Sequence, residues 1–505
     1  MIKKEMYLNK ENFMKSIQET LPTTYGKYPE KIIQMGEGNF LRAFADWMTD
    51  LSNEQGDFNG SILLCQPIAF NAQMCQKFEQ QNGAYTLIMR GIDEDGKPAE
   101  MIRPITSVSR CINVYENFDE FLKSARNPDL KVCISNTTEA GIAYKEGDKL
   151  TDTPPASFPA KMTVFLYERY QTFNGAQDKG LLFLPVELID YNGTELRKLI
   201  LRYSQEWQLP QAFIQWVQEH NFFTNTLVDR IVTGYPKTEV AALEEKLGYK
   251  DELMVTSELF NLWVIEGKKE WADIFPIHKT KAHVIWTDDV RPYKMRKVRI
   301  LNGGHTATVL AAYLAGHDIV LDFMNDPVFA KYLDKLLFEE VIATLDLPLE
   351  ELKNFANAVK ARFANPYIKH RLLDISLNSC SKFTARCLPS LTEYYRRKGT
   401  LPQVLSFSLA AFIKFYQGEL KDGKYIGRRF DGSEYEIRDD QAVLDFFAQV
   451  WKETDMRQLA EKVLSSPILW PQPPAELPGL VEKVAFYLTQ MQNHSVKEVV
   501  AELVK

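Results

Sequence analysis

The chain has 505 residues, of which 45% are hydrophobic and 25% charged, and its formal net charge is −7. These are ordinary values for a globular protein, and the length is enough for two or three domains that each bury a sizeable core. The negative net charge argues against nucleic acid or an acidic membrane surface as the main partner, but it leaves room for a local basic pocket that binds a small anion.

Cysteine and histidine usage indicates neither a disulfide framework nor a metal site. The six cysteines have no CxxC spacing, and most lie in apolar surroundings, so we expect reduced thiols in the core. The seven histidines show no HxxH or HExxH spacing, so we expect no metal. The first thirty residues are charged and polar, and no apolar run reaches 18 residues, which predicts a cytoplasmic protein without a signal peptide or a membrane span.

The first predicted strand leads into a glycine-rich turn. Residues 31–35 form the strand, the turn and the start of a helix follow, and this amphipathic helix runs to about Ser52. This order lets backbone N–H groups hold the phosphates of a dinucleotide, although Leu41 stands where the usual third glycine would be. The candidate cofactor-binding residues here are Ile33, Gly36, Glu37, Gly38, Asn39, Phe40 and Arg42.

Two further strand ends bear on the cofactor. The strand at 61–67 ends near Gln66, where an acidic residue for the ribose of NAD would be expected, so this rule leaves the choice between NAD and NADP open. A buried strand at 131–135 ends in polar residues at the edge where a cofactor lies in an open α/β sheet. Its candidate cofactor-binding residues are Asn136, Thr137, Thr138 and Glu139. A plain helix cap would explain Thr138 or Glu139 equally well.

The other elements change in character along the chain. Before residue 290, strands are predicted at 85–90, 105–114, 180–188, 222–230, 258–267 and 283–286, and helices at 118–125, 161–173 and 196–207. The turn at 93–96 predicts a hairpin inserted in a parallel sheet. Later helices are predicted at 297–314, 328–345, 349–363, 370–377, 388–397, 401–417, 441–451, 456–464, 480–493 and 496–503. We therefore predict an α/β protein with an N-terminal Rossmann-like dinucleotide-binding domain over 1–285, followed by a mostly α-helical substrate and catalytic domain over 286–505.

A helix predicted from about Met295 carries three polar side chains with possible chemistry. At about 100° per residue, Asn302 lies about 140° and His305 about 80° around the helix from Lys297, and we expect the amine, the amide and the imidazole to share one side of a helix start. Gly303 and Gly304 are poor helix formers, so their presence predicts a close approach to the backbone. A solvated helix start with a satisfied histidine is the alternative.

The spacing Lys-x4-Asn-x2-His at Lys297, Asn302 and His305 resembles the catalytic signature of the polyol-specific long-chain dehydrogenases, the mannitol 2-dehydrogenase family. Four other segments match this family in order. They are Gly36-x-Gly38-x-Phe40-x-Arg42, Asn136–Gly141, Val228–Ile231 and Arg362–Pro366. The resemblance implies that Lys297 is the general acid and base, that Asn302 polarises the reacting carbonyl and that His305 binds substrate.

Within this family the chain is similar to members that interconvert D-tagaturonate and D-altronate. The closer resemblance lies in residues 33–44, 135–142, 187–193, 227–236 and 365–370. It implies reversible hydride transfer between NAD(H) and the keto group of a small sugar acid. Mannitol-type members place a second asparagine against the reacting oxygen, whereas Leu188 stands there in this chain. Either Asn302 acts alone or another group, such as Asn192, takes that place.

A sugar acid also needs a cation for its carboxylate. Lys382 matches a family lysine, and we expect it to bind the carboxylate, either alone or together with Arg386 or Arg371, because lysine and arginine suit that group. Asp229 would accept a hydrogen bond from a substrate hydroxyl, and Arg230 is a candidate beside it. The alternative for the basic residues of this segment is that they are surface charges. For Asp229 and Arg230 it is an exposed ion pair, and for Asp229 by itself it is a structural hydrogen bond.

Three readings of the function stay open at this point. Besides tagaturonate, the same catalytic helix would serve a fructuronate or a mannitol-type polyol dehydrogenase. A catalytically silent nucleotide-binding relative is the alternative from another class. We expect a monomer or weak oligomer.

Overall fold

The computed structural model describes residues 15–21, 28–69, 73–93, 95–138 and 140–505. The chain divides into two compact units, Met1–Arg90 with Ala99–Val290, and Gly91–Pro98 with Arg291–Lys505. The first unit is built on parallel strands with helices between them, and the second is mostly helical, as predicted. The predicted boundary after residue 285 stays a prediction.

The strands and helices follow one another along the described chain. The strands are β1 Lys15–Ser16, β2 Glu30–Met35, β3 Ser61–Gln66, β4 Tyr85–Ile92, β5 Pro98–Ile105, β6 Val108–Asn113, β7 Val132–Ser135, β8 Leu182–Pro185, β9 Phe222–Phe223, β10 Asn225–Asp229, β11 Val232–Gly234, β12 Tyr249–Lys250, β13 Val255–Glu258, β14 Leu262–Glu266, β15 Val284–Thr287, β16 Gly418–Lys421, β17 Lys424–Arg428 and β18 Glu434–Ile437. The α-helices are α1 Asn39–Arg42, α2 Ala45–Glu54, α3 Gln73–Gln80, α4 Phe118–Ala125, α5 Phe158–Thr172, α6 Asn192–Glu206, α7 Gln211–His220, α8 Val240–Leu247, α9 Arg291–Arg296, α10 Gly303–Leu314, α11 Val320–Asn325, α12 Pro327–Asp334, α13 Leu349–Phe363, α14 Leu372–Ile375, α15 Ser379–Arg386, α16 Leu388–Lys398, α17 Gln403–Phe415, α18 Gln441–Val450, α19 Met456–Leu464, α20 Leu480–Asn493 and α21 Val496–Leu503. Two π-helical segments, Lys297–Asn302 and Lys335–Val341, and short 3-10 turns complete the list.

Six parallel strands form the central sheet of the first unit, in the order β6-β3-β2-β7-β8-β9. Strands β3 and β7 are buried at every position, as expected for central parallel strands covered on both faces. Neighbouring residues belong to different apolar clusters, since Ile32 lies in one and Ile33 in the other. The predicted Rossmann-like sheet is therefore present.

The inserted strands of the first unit differ from the prediction. Strand β4 lies beside β5 and β13 in a four-stranded sheet, so the predicted hairpin uses residues 98–105. The predicted strand at 105–114 is wrong as one element, because β6 pairs with β3 in the central sheet. Helices α7 and α8 were not predicted, and β9 and β10 replace the single strand predicted at 222–230.

The second unit packs around two helices that are buried on nearly all sides. Helix α10 lies against α17, and α17 lies against α20. Predicted helices at 349–363, 456–464, 480–493 and 496–503 coincide with α13, α19, α20 and α21. In the described residues no helix combines the length and apolarity needed to cross a membrane.

A three-stranded antiparallel sheet interrupts the helical unit and was not predicted. Strands β16, β17 and β18 run through residues 418–437. Tyr435 and Ile437 are buried while Glu434 and Glu436 are exposed, which is the two-residue period of a strand. Gly423, at φ +76°, forms the first hairpin turn after Asp422. This Asp-Gly signal was present in the sequence.

The expectation of reduced thiols is wrong for one pair of cysteines. Cys75 on α3 and Cys111 on β6 form a disulfide with their Cα atoms 5.0 Å apart. The four cysteines that are free are all buried, as expected. They are Cys65, Cys133, Cys380 and Cys387.

A buried polar cluster lies directly under the glycine turn. The Asp46 carboxylate accepts a 3.0 Å hydrogen bond from the hydroxyl of Tyr85, and burial is the main reason that the pKa of Asp46 is raised to about 7. The nearby Gln34 side chain opposes this rise. In the described part of the chain, one oxygen each of Asp46 and Gln34 is buried without an accepted hydrogen bond. A proton on Asp46 would let its carboxyl group donate to Gln34, whose amide nitrogen donates to the Gly36 carbonyl at 3.2 Å.

Asp46→Asn should reduce the decrease in the free energy of unfolding that accompanies a rise in pH towards neutrality. The folded pKa of Asp46, about 7, lies above the ordinary 3.8, so between these values the folded state holds a proton that the unfolded state has lost. This group therefore lowers the free energy of unfolding by about 1.4 kcal/mol per pH unit as pH rises through that window. Urea unfolding from pH 4.5 to 7.5 measures the slope, with Asp119→Asn on exposed α4 as the control. An unchanged slope in Asp46→Asn would exclude Asp46 as its source.

Candidate functional site

The glycine turn after β2 lies against the end of β7. The Gly36 amide donates to the Cys65 carbonyl at 2.9 Å, and Gly36 has φ +124°. A Cβ at this position would lie 3.0 Å from the Asn136 carbonyl oxygen, so the backbone conformation and the close approach both require glycine. A Cβ at Gly38 would meet no atom within 4 Å, so the turn faces open space there.

The predicted cofactor residues separate into accessible and buried groups. Gly38, Asn39 and Thr138 are exposed, and Phe40, Asn136 and Thr137 are half-buried. Residues 38–40 follow β2, and residues 136–138 follow β7. Because these two strands are neighbours in the sheet, the two groups of residues meet at its carboxyl edge. Glu139 lies outside the described residues.

Ile33, Glu37 and Arg42 are buried, and their side chains serve the protein. Ile33 belongs to the apolar core. The Arg42 guanidinium donates to the Leu253 carbonyl at 2.5 Å and to the Asn39 side chain at 2.6 Å, and it lies over the Tyr85 ring. Burial lowers the pKa of Arg42 and raises that of Glu37. We therefore infer that the Arg42 side chain holds the glycine turn and does not contact a cofactor.

Buried Glu187 holds the end of β7. Its carboxylate accepts from the Thr137 amide at 3.0 Å, the Thr137 hydroxyl at 2.9 Å and the Ser135 hydroxyl at 3.1 Å. A Cβ at Gly141 would lie 2.0 Å from the Thr137 hydroxyl oxygen, which explains the glycine in this motif. Thr138 has φ +71°, an uncommon conformation for a β-branched residue, at the accessible edge of the sheet.

Asn192 does not replace the family asparagine missing at Leu188. Its side-chain amide donates to the Pro185 carbonyl at 3.0 Å and accepts from the Thr226 amide at 2.9 Å, and the residue is fully buried. This alternative is therefore wrong, because both ends of the amide are used to hold β8 against β10. Leu188 is 64% exposed and offers no hydrogen bond.

The Arg230 side chain is bonded within the protein, and its predicted role in binding substrate stays a prediction. Its guanidinium donates to the Glu258 carbonyl at 3.0 and 3.1 Å and to the Ala43 carbonyl at 2.5 Å, and it lies over the Trp47 ring. Burial lowers the pKa of Arg230 to about 9. Ala43 lies at the break between α1 and α2, so Arg230 satisfies a carbonyl that the interrupted helix leaves unpaired. Asp229 is buried at the end of β10, and its role in binding substrate stays a prediction.

In the second unit, Lys297 lies inside a continuous helical run that begins at Arg291, so the predicted helix start is wrong. Residues 297–302 are π-helical, and the Gly303 amide donates to the Val298 carbonyl five residues earlier. Five-residue bonding brings Lys297 and Asn302 to the same side, where α-helical geometry would separate them. His305 follows Asn302 by three residues of α-helix and shares its side. The π segment thus aligns all three side chains.

Asn302 and His305 both keep hydrogen-bonding capacity. Within the described chain, the Asn302 side-chain amide makes no hydrogen bond, and the Nε2 atom of His305 is buried without a partner. The His305 ring stacks on Phe363 with centroids 3.9 Å apart and meets the edge of His370 at 5.3 Å. Burial, followed by the charges of His370 and three other basic groups, holds the pKa of His305 well below its usual range. His305 is therefore neutral at neutral pH.

Several basic side chains surround His305. Those that act on it are Arg362, His370, Lys382 and Arg386. The Lys382 amine donates to the Ile375 carbonyl at 2.9 Å, and Arg386 donates to the Thr306 hydroxyl at 3.3 Å. Neither forms an ion pair within the described residues. Burial lowers the pKa of both groups. Two half-buried cations without a carboxylate partner favour an anion as ligand.

Sequence reasoning missed Glu187 in the first unit and His370 in the second, and it named Asn192 only as a candidate for contact with the substrate. Glu187 and Asn192 lie in a segment that was singled out, but nothing local distinguishes a strand-end anchor from a ligand group. His370 follows the Asn365-Pro366 motif, and its contact with His305 depends on folding. The described residues hold no group of three or more His, Cys, Asp or Glu arranged for a metal ion.

Two family models match the chain. The mannitol dehydrogenase Rossmann domain covers residues 30–279, and the mannitol dehydrogenase C-terminal domain covers residues 289–464. The chain belongs to the mannitol dehydrogenase family. This confirms the predicted family of dehydrogenases acting on CH–OH groups, and the predicted Rossmann-like and helical halves.

Two curated relatives have the same name. Altronate oxidoreductases of Escherichia coli O7:K1 (strain IAI39 / ExPEC) and of Shigella flexneri are each 48% identical to this chain over 482 residues. Each match covers 94% of this chain and 97% of the relative. This identity confirms the predicted closer resemblance to one group within the family, the altronate oxidoreductases.

Two solved structures share the fold. Pseudomonas fluorescens mannitol 2-dehydrogenase, in a ternary complex with NAD and D-mannitol, is 21% identical, with 95% of both chains covered and a TM-score of 0.63. D-sorbitol dehydrogenase in substrate-free form is 20% identical, with 97% of this chain and 100% of that chain covered and a TM-score of 0.78. At these identities the likeness concerns the fold alone.

Arg230→Met should destabilise the protein without changing the KM for substrate. The substitution leaves the buried carbonyls of Ala43 and Glu258 without donors, at a cost on the order of 3 kcal/mol in the free energy of unfolding. Urea unfolding and steady-state kinetics on the folded fraction measure the two effects, with Arg202→Met on the surface as the control. A raised KM at unchanged stability would restore Arg230 to the substrate site.

Proposed function

We propose that the protein is an NAD-dependent oxidoreductase that interconverts D-altronate and D-tagaturonate in hexuronate catabolism. The observation that carries this proposal is the pair of cations, Lys382 and Arg386, which form no ion pair within the described residues and lie beside a neutral His305. A neutral polyol would leave both cations unpaired, whereas a sugar acid supplies the missing carboxylate. The altronate oxidoreductases at 48% identity support the same substrate class.

The first unit has the features that a dinucleotide requires. Open space lies beside Gly38, the N–H groups at the start of α1 follow it, and Thr137 and Thr138 lie at the end of the next strand. We assign Gly36, Gly38, Asn39, Phe40 and the residues Asn136–Thr138 to this site. When bound there, NADH supplies the hydride for ketone reduction.

The three aligned side chains supply the rest of the chemistry. Lys297 gives a proton to the substrate oxygen during reduction and takes it back during oxidation. The Asn302 amide donates to the same oxygen, and this hydrogen bond strengthens as negative charge develops. Since Leu188 and Asn192 offer no second amide, Asn302 performs this role alone among the predicted candidates.

His305 orients the substrate as a neutral imidazole. Its lowered pKa means that it carries no charge to compete with Lys382 and Arg386 for the carboxylate. A neutral ring has one nitrogen that donates and one that accepts, so it can bind a carbonyl or a hydroxyl group. Its stacking on Phe363 fixes the plane of the ring.

A side-by-side assay tests the proposal. NADH oxidation is measured with D-tagaturonate, D-fructuronate and D-fructose at matched concentrations, and the highest kcat/KM is expected for tagaturonate. Preference for fructuronate or fructose would assign the protein to another dehydrogenase of this family. NADH binding without turnover on any of the three would indicate a silent relative. Repeating the assay with NADPH tests the choice of cofactor.

The cytoplasmic location and the monomeric or weakly oligomeric state stay predictions.

Lys297→Ala should lower turnover by at least about a hundredfold, within the usual range for loss of a general acid and base. The kcat for tagaturonate reduction is measured at saturating NADH. Lys353→Ala, on the exposed side of α13, is the control and should behave as wild type. Near-normal turnover in Lys297→Ala would remove this lysine from the chemistry.

Lys382→Met should raise the KM for tagaturonate about tenfold or more, because a charge-assisted hydrogen bond to the carboxylate is lost. The matched control is Lys414→Met, since Lys414 is also a half-buried lysine of the second unit whose amine bonds a nearby oxygen, that of Gln417. An unchanged KM in Lys382→Met would place the carboxylate elsewhere.

A further inference from the structure

The last turn of α15 receives an arginine from the π segment. One Arg299 nitrogen donates to the Ala385 carbonyl at 3.2 Å and to the Arg386 carbonyl at 3.3 Å. The last carbonyls of a helix have no partner within it, and a cation there also interacts favourably with the helix dipole. Arg299 therefore completes the helix that carries Lys382 and Arg386.

Three more contacts join the first turn of α10, directly after the π segment, to the end of α15. A Cβ at Gly303 would lie 3.3 Å from the Arg386 carbonyl oxygen, so glycine permits this close approach. Cys387 contacts the Gly303 carbonyl, with 3.6 Å between sulfur and oxygen. The Arg386 guanidinium reaches the Thr306 hydroxyl. The glycine predicted to admit something close to the backbone thus admits the end of α15.

Within the described chain, the positive charge of Arg299 has no acidic partner. No acidic group there lies within ion-pair distance of it, and burial lowers its pKa. A half-buried guanidinium without an anion is costly, so its bonds to two carbonyls must offset that cost. Exposed arginines such as Arg396, which pair with acids on their own helix, show the ordinary alternative.

We propose that Arg299 is a positioning residue that fixes α15 against the π segment, and so keeps Lys382 and Arg386 in register with Lys297 and Asn302. The inference rests on the proposed function, because it assigns Lys382 and Arg386 to the substrate carboxylate. Lys382 and Arg386 are four residues apart on α15 and share one side of it. A shift of about 1 Å at the end of this helix would move the bound carboxylate relative to the proton donor, and misplacement of that size can cost a hundredfold in rate.

Arg299→Met tests the proposal by removing both hydrogen bonds while keeping the aliphatic part of the side chain. We expect kcat/KM for tagaturonate to fall about 10- to 100-fold, with KM raised and kcat lowered, while the dissociation constant of NADH changes less than twofold. Arg299→Lys keeps one donor and a charge and should recover part of the loss. Arg397→Met is the control, since Arg397 also donates to a helix-end carbonyl, that of Ala343, at 3.3 Å.

Hydrogen–deuterium exchange provides a readout that needs no turnover. In Arg299→Met we expect faster amide exchange in both α15 and the residues 297–302, and no change in these segments in Arg397→Met. Unchanged exchange, or kcat/KM within twofold of wild type, would overturn the proposal. A wild-type enzyme that prefers another ketone would contradict the proposed function alone, because exchange and the kinetics on that ketone would still measure the role of Arg299.

Discussion

The active helix depends on one local departure from α-helical bonding. The amide of Gly303 bonds the carbonyl five residues earlier, which gives the run from Lys297 to Asn302 π-helical geometry. In an unbroken α-helix the lysine and the asparagine would lie about 140° apart and could not act on one oxygen. The π segment also turns Arg299 and Gly303 towards α15. One irregular turn therefore aligns the proposed proton donor with the proposed amide donor, and it supplies the surface against which the end of α15 packs.

Four arginines of this protein, two buried and two half-buried, fall into two groups that the sequence does not distinguish. Arg42, Arg230 and Arg299 donate to backbone carbonyls left open where a helix or strand ends. Arg386 makes a single bond to a hydroxyl and has no acid beside it in the described chain. Only the second situation leaves a charge available to a ligand. The sequence offers Arg42, Arg230 and Arg386 alike as binding residues, and only their hydrogen-bond partners separate the arginines that hold backbone carbonyls from the one that keeps its charge for a ligand.

The sequence predicts elements well where one periodicity dominates. The helices at 349–363 and 480–493 begin and end where the hydrophobic pattern does, and the strand, glycine turn and polar strand end are found as predicted. The π segment was beyond prediction, because hydrophobic spacing over six residues does not separate five-residue from four-residue bonding. The hydrogen bonds of Arg230 were beyond prediction for a related reason, since its acceptors Ala43 and Glu258 are distant in sequence and are brought near it only by folding.

The neutrality of His305 connects the electrostatics of the second unit to substrate choice. Burial and nearby positive charge act in the same direction on its pKa, so the ring stays uncharged although basic groups surround it. A protonated ring would add a cation at the point where the substrate is held, and it would lose the nitrogen that accepts a hydrogen bond. With the imidazole neutral, the positive charge beside it lies on other basic side chains, including Lys382 and Arg386, which belong to a different helix from Lys297. In the proposed mechanism, recognition of the carboxylate and transfer of the proton thus belong to different elements, and the proposed reaction requires that these two helices be firmly joined.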